Sequence, residues 1–257
     1  MFSAVRGNKI SQQIIAQIRG MIFEGKLSTG DKLPPENVLT EQFGVSRQTL
    51  REALRALEFI GLIEIKKGTA GGQCIAEMDS SIAQEMLANY LYFKNISVSQ
   101  VSEIRKIIDP QAAAIATGTI TDEELKSLGD IVEISRTVDL DNPDLWNTGS
   151  YDLAFHRIIG SSTRNPILIF IIDFIEAVME DMKRHHLVEK EYYSQIFDAH
   201  ERIYKALRAR DPEKASAEML EHVVDVQEHL ISAKDAGVWE KRKMKSLVDF
   251  RAATAMY

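Results

Sequence analysis

The 257 residues hold a single cysteine, Cys74, which excludes an internal disulfide and fits a reducing compartment. Long apolar runs are missing too. The longest, residues 167–172, has six residues and stops at Asp173, against the roughly 18 that a membrane-spanning helix needs. No basic-then-apolar leader opens the chain, so the expected location is the cytoplasm and no membrane partner is expected. A surplus of positive charge is absent: the formal net charge is −7, unlike that of a protein coated with nucleic acid. There is no internal repeat, no low-complexity tract, no nucleophile motif and no glycine loop of the kind that cradles phosphate.

What is present suits about two domains, since 45% apolar content over this length can bury a full core. The charge is unevenly placed. Residues 1–78 hold ten Lys/Arg and eight Asp/Glu, about +2, whereas residues 79–257 hold 21 and 30, about −9. A near-neutral to basic head on an acidic body suits local DNA contact through the head.

The head is organised around residues 43–61, FGVSRQTLREALRALEFIG. Ser46 is a natural N-cap ahead of a helical run. Leu50, Leu54, Leu57 and Phe59/Ile60 recur at helical spacing as one buried stripe. Arg47, Gln48, Arg51 and Arg55 populate the other faces, with Arg47 and Arg51 four apart near the N-terminus. This is the chemistry of a recognition helix for the major groove, and also that of an ordinary amphipathic surface helix. The flanks separate the two. Residues 36–43 read as a short helix after Pro34-Pro35, with Val38, Leu39 and Phe43 inward, which makes a helix-turn-helix. Residues 62–67 and 73–76 read as two strands around a Gly-rich, basic tip, a wing.

The runs Gly30-Asp31-Lys32-Leu33-Pro34-Pro35-Glu36, Val45-Ser46-Arg47, Leu50-Arg51-Glu52-Ala53-Leu54 and Gly61-Leu62-Ile63 resemble the winged-helix domain of the GntR family of bacterial transcription regulators. The resemblance covers residues 8–78. It implies a homodimer whose two winged domains bind half-sites of a palindromic operator in double-stranded DNA. Ser46, Arg47, Gln48 and Arg51 would then read bases or anchor phosphates, and Lys66, Lys67 and Gly68 would press the wing on the minor groove. Asn37 stands where the family usually has a basic residue, so that contact is not carried over.

A scaffold helix with Ile10, Ile14, Ile18 and Met21/Ile22 inward, closed by Gly25, should pack behind the helix-turn-helix. Beyond residues 77–81, the expected hinge, strand signals cease. Helices are predicted over residues 82–92, 99–117, 121–138, 143–160, 166–187, 192–210 and 212–236. Their starts are marked by a Thr121–Glu124 capping box and by Pro143, Pro166 and Pro212 at first helical positions. The fold class is therefore mainly α. A winged helix-turn-helix domain (1–78) precedes an all-α bundle of six or seven helices (79–238) and a basic tail (239–257) with KRKMK at 241–245, expected to be a solvated or swapped helix.

Asp152 and His156 are four apart on one predicted helix, so both leave the same face, a good geometry for chelation. His200 and His222 each sit on or beside the apolar stripe of a later helix. Alone, each histidine reads better as a hydrogen-bonded core residue than as a ligand. Converging with an aspartate, three of them would satisfy one another through a metal. His185 and His186 diverge and read as surface. His229 lies seven residues past His222, about 10 Å along the helix, too far for the same ion.

Residues 82–235 resemble the FCD ligand-binding domain of the FadR-like subgroup. That resemblance implies a divalent metal on Asp152, His156, His200 and His222, zinc by default with nickel or manganese also suited. Some members lack these ligands and bind a fatty acyl thioester; retention of all four argues against that variant. Open coordination positions would take water or an effector carboxylate. Arg105 matches an arginine that faces the same cavity in related domains, and it would hold a small organic acid by a bidentate pair. The implied function is a transcription regulator whose operator affinity is set by that acid. Two rivals are a metal sensor and a metallohydrolase with a DNA-binding head. Against the hydrolase, no Asp or Glu stands out in the sequence as a general base.

Overall fold

Among the described residues, three helices and a hairpin form the first of two units, which divide after Ala83. The computed structural model describes residues 8–66, 71–77, 80–94, 96–137, 150–183 and 190–233. Helices α1 (Asn8–Phe23), α2 (Glu36–Phe43) and α3 (Arg47–Phe59) are followed by strands β1 (Ile63–Lys66) and β2 (Gly72–Ile75). Ile14, Ile18, Leu39, Leu50, Leu54 and Leu57 close on Ile63 and Ile75 in one apolar core. Between α2 and α3 the chain turns at Gly44, whose φ of 64° lies in the left-handed region that favours glycine. The Ser46 hydroxyl then accepts the Thr49 N–H at 3.2 Å and starts α3 as its N-cap. The strands pair antiparallel, Ile63 opposite Ile75 and Lys66 opposite Gly72. Lys67 and Gly68 lie outside the described residues.

The predicted stripes hold at their centres, and where periodicity offers two residues at an end one of them packs on the core, Ile22 rather than Met21 and Ile60 rather than Phe59. Ile10 and Met21 of α1 are exposed, and Ser11 is buried instead. Phe59, placed inward by periodicity, is 77% exposed. It is the last residue of α3, and from Ile60 the chain leaves the helical path, so the core-facing role passes to Ile60.

Among the described residues seven helices follow: α4 (Ser80–Tyr92), which begins just before the division, then α5 (Val98–Thr119), α6 (Asp122–Thr137), α7 (Ser150–Ser162), α8 (Pro166–Lys183), α9 (Lys190–Arg208) and α10 (Pro212–Ala233). Local chemistry accounts for the starts. Ser97 and Gln100 form a capping box on α5, and Thr121 and Glu124 do the same on α6. The Asn165 side chain accepts the Ile167 N–H ahead of α8, and that of Asp211 accepts the Lys214 N–H ahead of α10. The predicted helix start at Asn142-Pro143, the residues His185 and His186, and the basic tail all lie outside the described residues.

Two apolar clusters fill the bundle. One gathers Val98, Val101, Ile175, Val178, Met179, Tyr192, Ile196, Val226 and Leu230. The other gathers Ala113, Ala116, Leu128, Phe155, Ile159, Ile203, Leu207, Met219 and Val223. Helix α5 sets the register between them, and its buried face is not the one its isoleucines suggest. Ile104 and Ile107 are exposed, while Val98, Val101, Arg105, Asp109, Ala112 and Ala116 face inward. Arg105 is therefore an interior residue, only 1% exposed.

Candidate metal centre

On three helices polar side chains interrupt the inward stripe where one apolar cluster gives way to the other. Arg105 and Asp109 fall between Val101 and Ala113, His200 between Ile196 and Ile203, and His222 between Met219 and Val226. The i, i+4 spacing on α7 sends Asp152 and His156 to the same place. One ligand atom from each of Asp152, His156, His200 and His222 lies within 4.8 Å of all the others, and the three histidines are buried.

The spacing fits one ion. Metal–nitrogen bonds of about 2.0–2.1 Å put adjacent ligand atoms about 2.9–3.4 Å apart at octahedral to tetrahedral angles. His156 Nε2 and His222 Nε2 are 3.2 Å apart. His200 Nε2 is 3.3 Å from Asp152 Oδ1, and His156 Nε2, at 3.7 Å from the same oxygen, lies a little beyond that range. Phe155 stacks on the His200 ring at 4.1 Å and fixes its plane. Burial, and then the neighbouring His200 and His156, hold the His222 pKa well below the usual histidine range. Neutral imidazole is the form that ligates a metal.

Behind the ligands lies a charged network. Arg105 Nε donates to Asp109 Oδ2 at 2.8 Å, and Arg105 NH2 is 3.1 Å from Glu176 Oε1. Glu176 Oε1 also stands 3.9 Å from His156 Nδ1. Burial alone would lower the Arg105 pKa, but Glu176, Asp109 and Asp152 together outweigh it and keep the guanidinium charged. Asp109, His156 and Glu176 also bring ligand atoms together. The guanidinium of Arg105 already serves as the cation of that cluster.

Farther along α9 and α10, Tyr192 and His229 stack at 3.6 Å, two helical turns from His200 and His222. The stack places His229 away from the four-ligand cluster.

In the first unit Arg47, Gln48 and Arg51 are exposed on α3. Arg51 Nε donates to Glu36 Oε2 at 2.9 Å, and Gln73 Nε2 donates to Glu36 Oε1 at 3.5 Å. Glu36 thus links the recognition helix to strand β2 of the wing. Lys66 is exposed and pairs with Glu64 at 2.9 Å.

Comparison with known proteins agrees with both halves. Residues 10–70 match the bacterial regulatory proteins of the gntR family, and residues 100–225 match the FCD domain. The HTH-type transcriptional regulator LutR of Bacillus subtilis (strain 168) is 30% identical over 215 residues, 82% of this chain and 96% of that protein. The chain belongs to the GntR family. The Exu regulon transcriptional regulator of Escherichia coli (strain K12) is 26% identical over 219 residues, 84% of this chain and 82% of its own. Among solved structures, Streptococcus agalactiae GntR shares the fold, with a TM-score of 0.56 and 24% identity over 85% of this chain and 99% of that one.

This GntR-family protein is a DNA-binding transcription regulator with an FCD domain, and not an enzyme. No helix among the described residues is long and apolar enough to cross a membrane. Two carboxylates that sequence reasoning did not single out, Asp109 and Glu176, stand beside the ligands, and both are tied to Arg105. Two signals were available: Asp109 lies four residues after Arg105, and Glu176 interrupts the otherwise apolar segment FIEAVM.

Proposed function

We propose that this regulator holds one divalent metal ion on Asp152, His156, His200 and His222, and that a small carboxylate bound at that site controls its grip on DNA. The observation that carries the reading is the convergence of four ligand atoms from three helices within 4.8 Å in the interior of the bundle. Charge supports it. With the imidazoles neutral, among the described residues one guanidinium faces three carboxylates (Asp109, Asp152 and Glu176), a surplus of two negative charges that a divalent cation would cancel. Zinc is the first choice, and nickel or manganese suit the same donors, because nitrogen–oxygen ligation does not select among them.

A bound ion supplies a Lewis-acid centre with one or two coordination positions left for a carboxylate oxygen. The chain supplies the rest. Arg105 provides a permanent positive charge that attracts the anion, and an effector carboxylate would share it with Glu176 and Asp109. The apolar clusters on either side exclude water. In a homodimer, the effector must bind the DNA-competent and DNA-released arrangements with different affinity, since equal affinity switches nothing. A palindromic operator would match the two-fold symmetry of such a dimer.

The test compares wild type with His200→Ala for metal content and for binding to an operator duplex. About one metal per chain in the wild type, lost in the variant, is the expected result. Small carboxylic acids should then release DNA from the wild type alone. Wild-type protein that stays metal-free in metal-replete cells would make these histidines core residues and end the metal-bridged reading.

A further inference from the structure

We infer that Glu176 is the positioning residue for the metal ligand His156: it accepts the proton on Nδ1 and thereby leaves the Nε2 lone pair for the ion. The inference rests on the metal-site reading above and goes beyond it, to which atom of the ring binds and what makes it do so.

The geometry constrains the imidazole on both sides. His156 Nε2 faces the other ligands, at 3.2 Å from His222 Nε2 and 3.7 Å from Asp152 Oδ1. For Nε2 to bind a cation, the ring proton must reside on Nδ1, and a buried N–H without an acceptor carries the full cost of its desolvation. The carboxylate facing Nδ1 is that of Glu176, at 3.9 Å. That distance is an ion-pair separation rather than a hydrogen bond, and a movement of about 1 Å closes it.

Glu176 is itself held. Its Oε1 stands 3.1 Å from Arg105 NH2, whose Nε is fixed by Asp109 at 2.8 Å. The residue is 2% exposed on an otherwise apolar stretch of α8, among Phe174, Ile175, Ala177 and Val178. A carboxylate in such surroundings is costly unless both its lone pairs and its charge are used. Arg105 uses the charge; the His156 N–H uses an oxygen. Carboxylates that hold the second nitrogen of a metal-bound histidine set its tautomer and strengthen it as a ligand, and losing one typically weakens metal binding 10–100-fold.

The experiment measures zinc affinity of the full chain by competition with a chromophoric chelator, for wild type, Glu176→Gln and Asp109→Asn. Both substitutions remove one buried negative charge that partners Arg105, and Glu176 is the one of the two placed 3.9 Å from His156 Nδ1. Zinc affinity is expected to fall about 10–100-fold in Glu176→Gln and less than about 3-fold in Asp109→Asn. Equal losses in the two variants would make the effect general electrostatics and overturn the positioning role. An unchanged affinity in Glu176→Gln would overturn it as well. A second readout does not depend on metal affinity. In metal-stripped protein, long-range nitrogen–proton correlation of the histidine rings should show His156 protonated on Nδ1 in the wild type, with that tautomer lost in Glu176→Met. The opposite tautomer in the wild type counts against the inference. Failure of the underlying reading looks different: wild-type protein itself would then show no zinc binding that His200→Ala abolishes.

Discussion

His156 and His222 lie 66 residues apart in sequence on different helices, yet their Nε2 atoms face each other at 3.2 Å in the interior of the bundle. Two neutral imidazoles can share at most one proton across such a contact, so one lone pair is used and little is gained from the other. A cation between them engages both. Metal should therefore stabilise the fold as well as occupy it. Zinc at about 100 times its dissociation constant is worth about 2.7 kcal/mol. Chelator-stripped wild type should melt at a lower temperature than the zinc-loaded protein, and His222→Ala should lose most of that response. Identical melting curves for the stripped and loaded wild type would leave the cluster without a metal-dependent role.

The Arg105 network makes a second prediction. Arg105 is enclosed with Asp109 and Glu176, both nearly inaccessible to water. Replacing it by Met leaves two buried carboxylates uncompensated, and breaking a buried pair in this way costs about 3–5 kcal/mol. Urea unfolding of Arg105→Met should show a loss of that order. Restoring apolar balance with the triple variant Arg105→Met, Asp109→Leu, Glu176→Met should recover much of it. A single variant as stable as the wild type would show that the carboxylates are solvated in solution.

How much of this was legible follows from where each signal lies. Helix starts were readable because Ser46, Thr121 and Asn165 each act within three residues of themselves. The convergence of Asp152, His156, His200 and His222 became an expectation only through resemblance, since their distances depend on how three helices pack. The buried face of α5 is not legible from hydrophobicity alone, for a physical reason. Hydrophobicity ranks Ile104 and Ile107 above Arg105 and Asp109, but a charged pair that satisfies itself at i, i+4 can be buried, and here it is. Periodicity does not see that pairing; the Arg-x-x-x-Asp spacing does.

Glu124 offers a test by pH. Burial alone would raise its pKa, but hydrogen bonds from Arg164 and Thr121, with the Arg164 charge, hold it below the usual carboxylate range. Arg164 grips both carboxylate oxygens at 2.7 Å. A depressed folded-state pKa means that the stabilisation is present above the unfolded-state value. It is lost as pH falls through the folded one. Glu124→Gln should therefore lower stability at neutral pH and flatten the acid limb of the stability–pH curve below about pH 4.5. A variant whose acid limb parallels that of the wild type would show that this pair contributes nothing to folding.

The recognition helix carries the last prediction. Glu36 occupies the Nε of Arg51 at 2.9 Å, so the end of the fork bearing NH1 and NH2 is the edge left for a base pair. An arginine held this way loses less freedom on binding and can read guanine O6 and N7 in a bidentate manner. Arg51→Ala should then cost about 1–3 kcal/mol against the preferred sequence and little against unrelated DNA, relaxing specificity at one position. Glu36→Gln separates position from charge. Removing an anion near the phosphates should tighten unrelated DNA, while freeing Arg51 should weaken the preferred sequence, so the two affinities should move in opposite directions. Lys66→Ala and Lys67→Ala, by contrast, should weaken all duplexes alike and reduce the salt slope by about one each. Salt-dependent binding to a duplex selected from a random pool, beside a scrambled one, measures all of these. If Arg51→Ala weakened both duplexes equally, Arg51 would be a phosphate anchor and base reading would fall to Arg47 and Gln48.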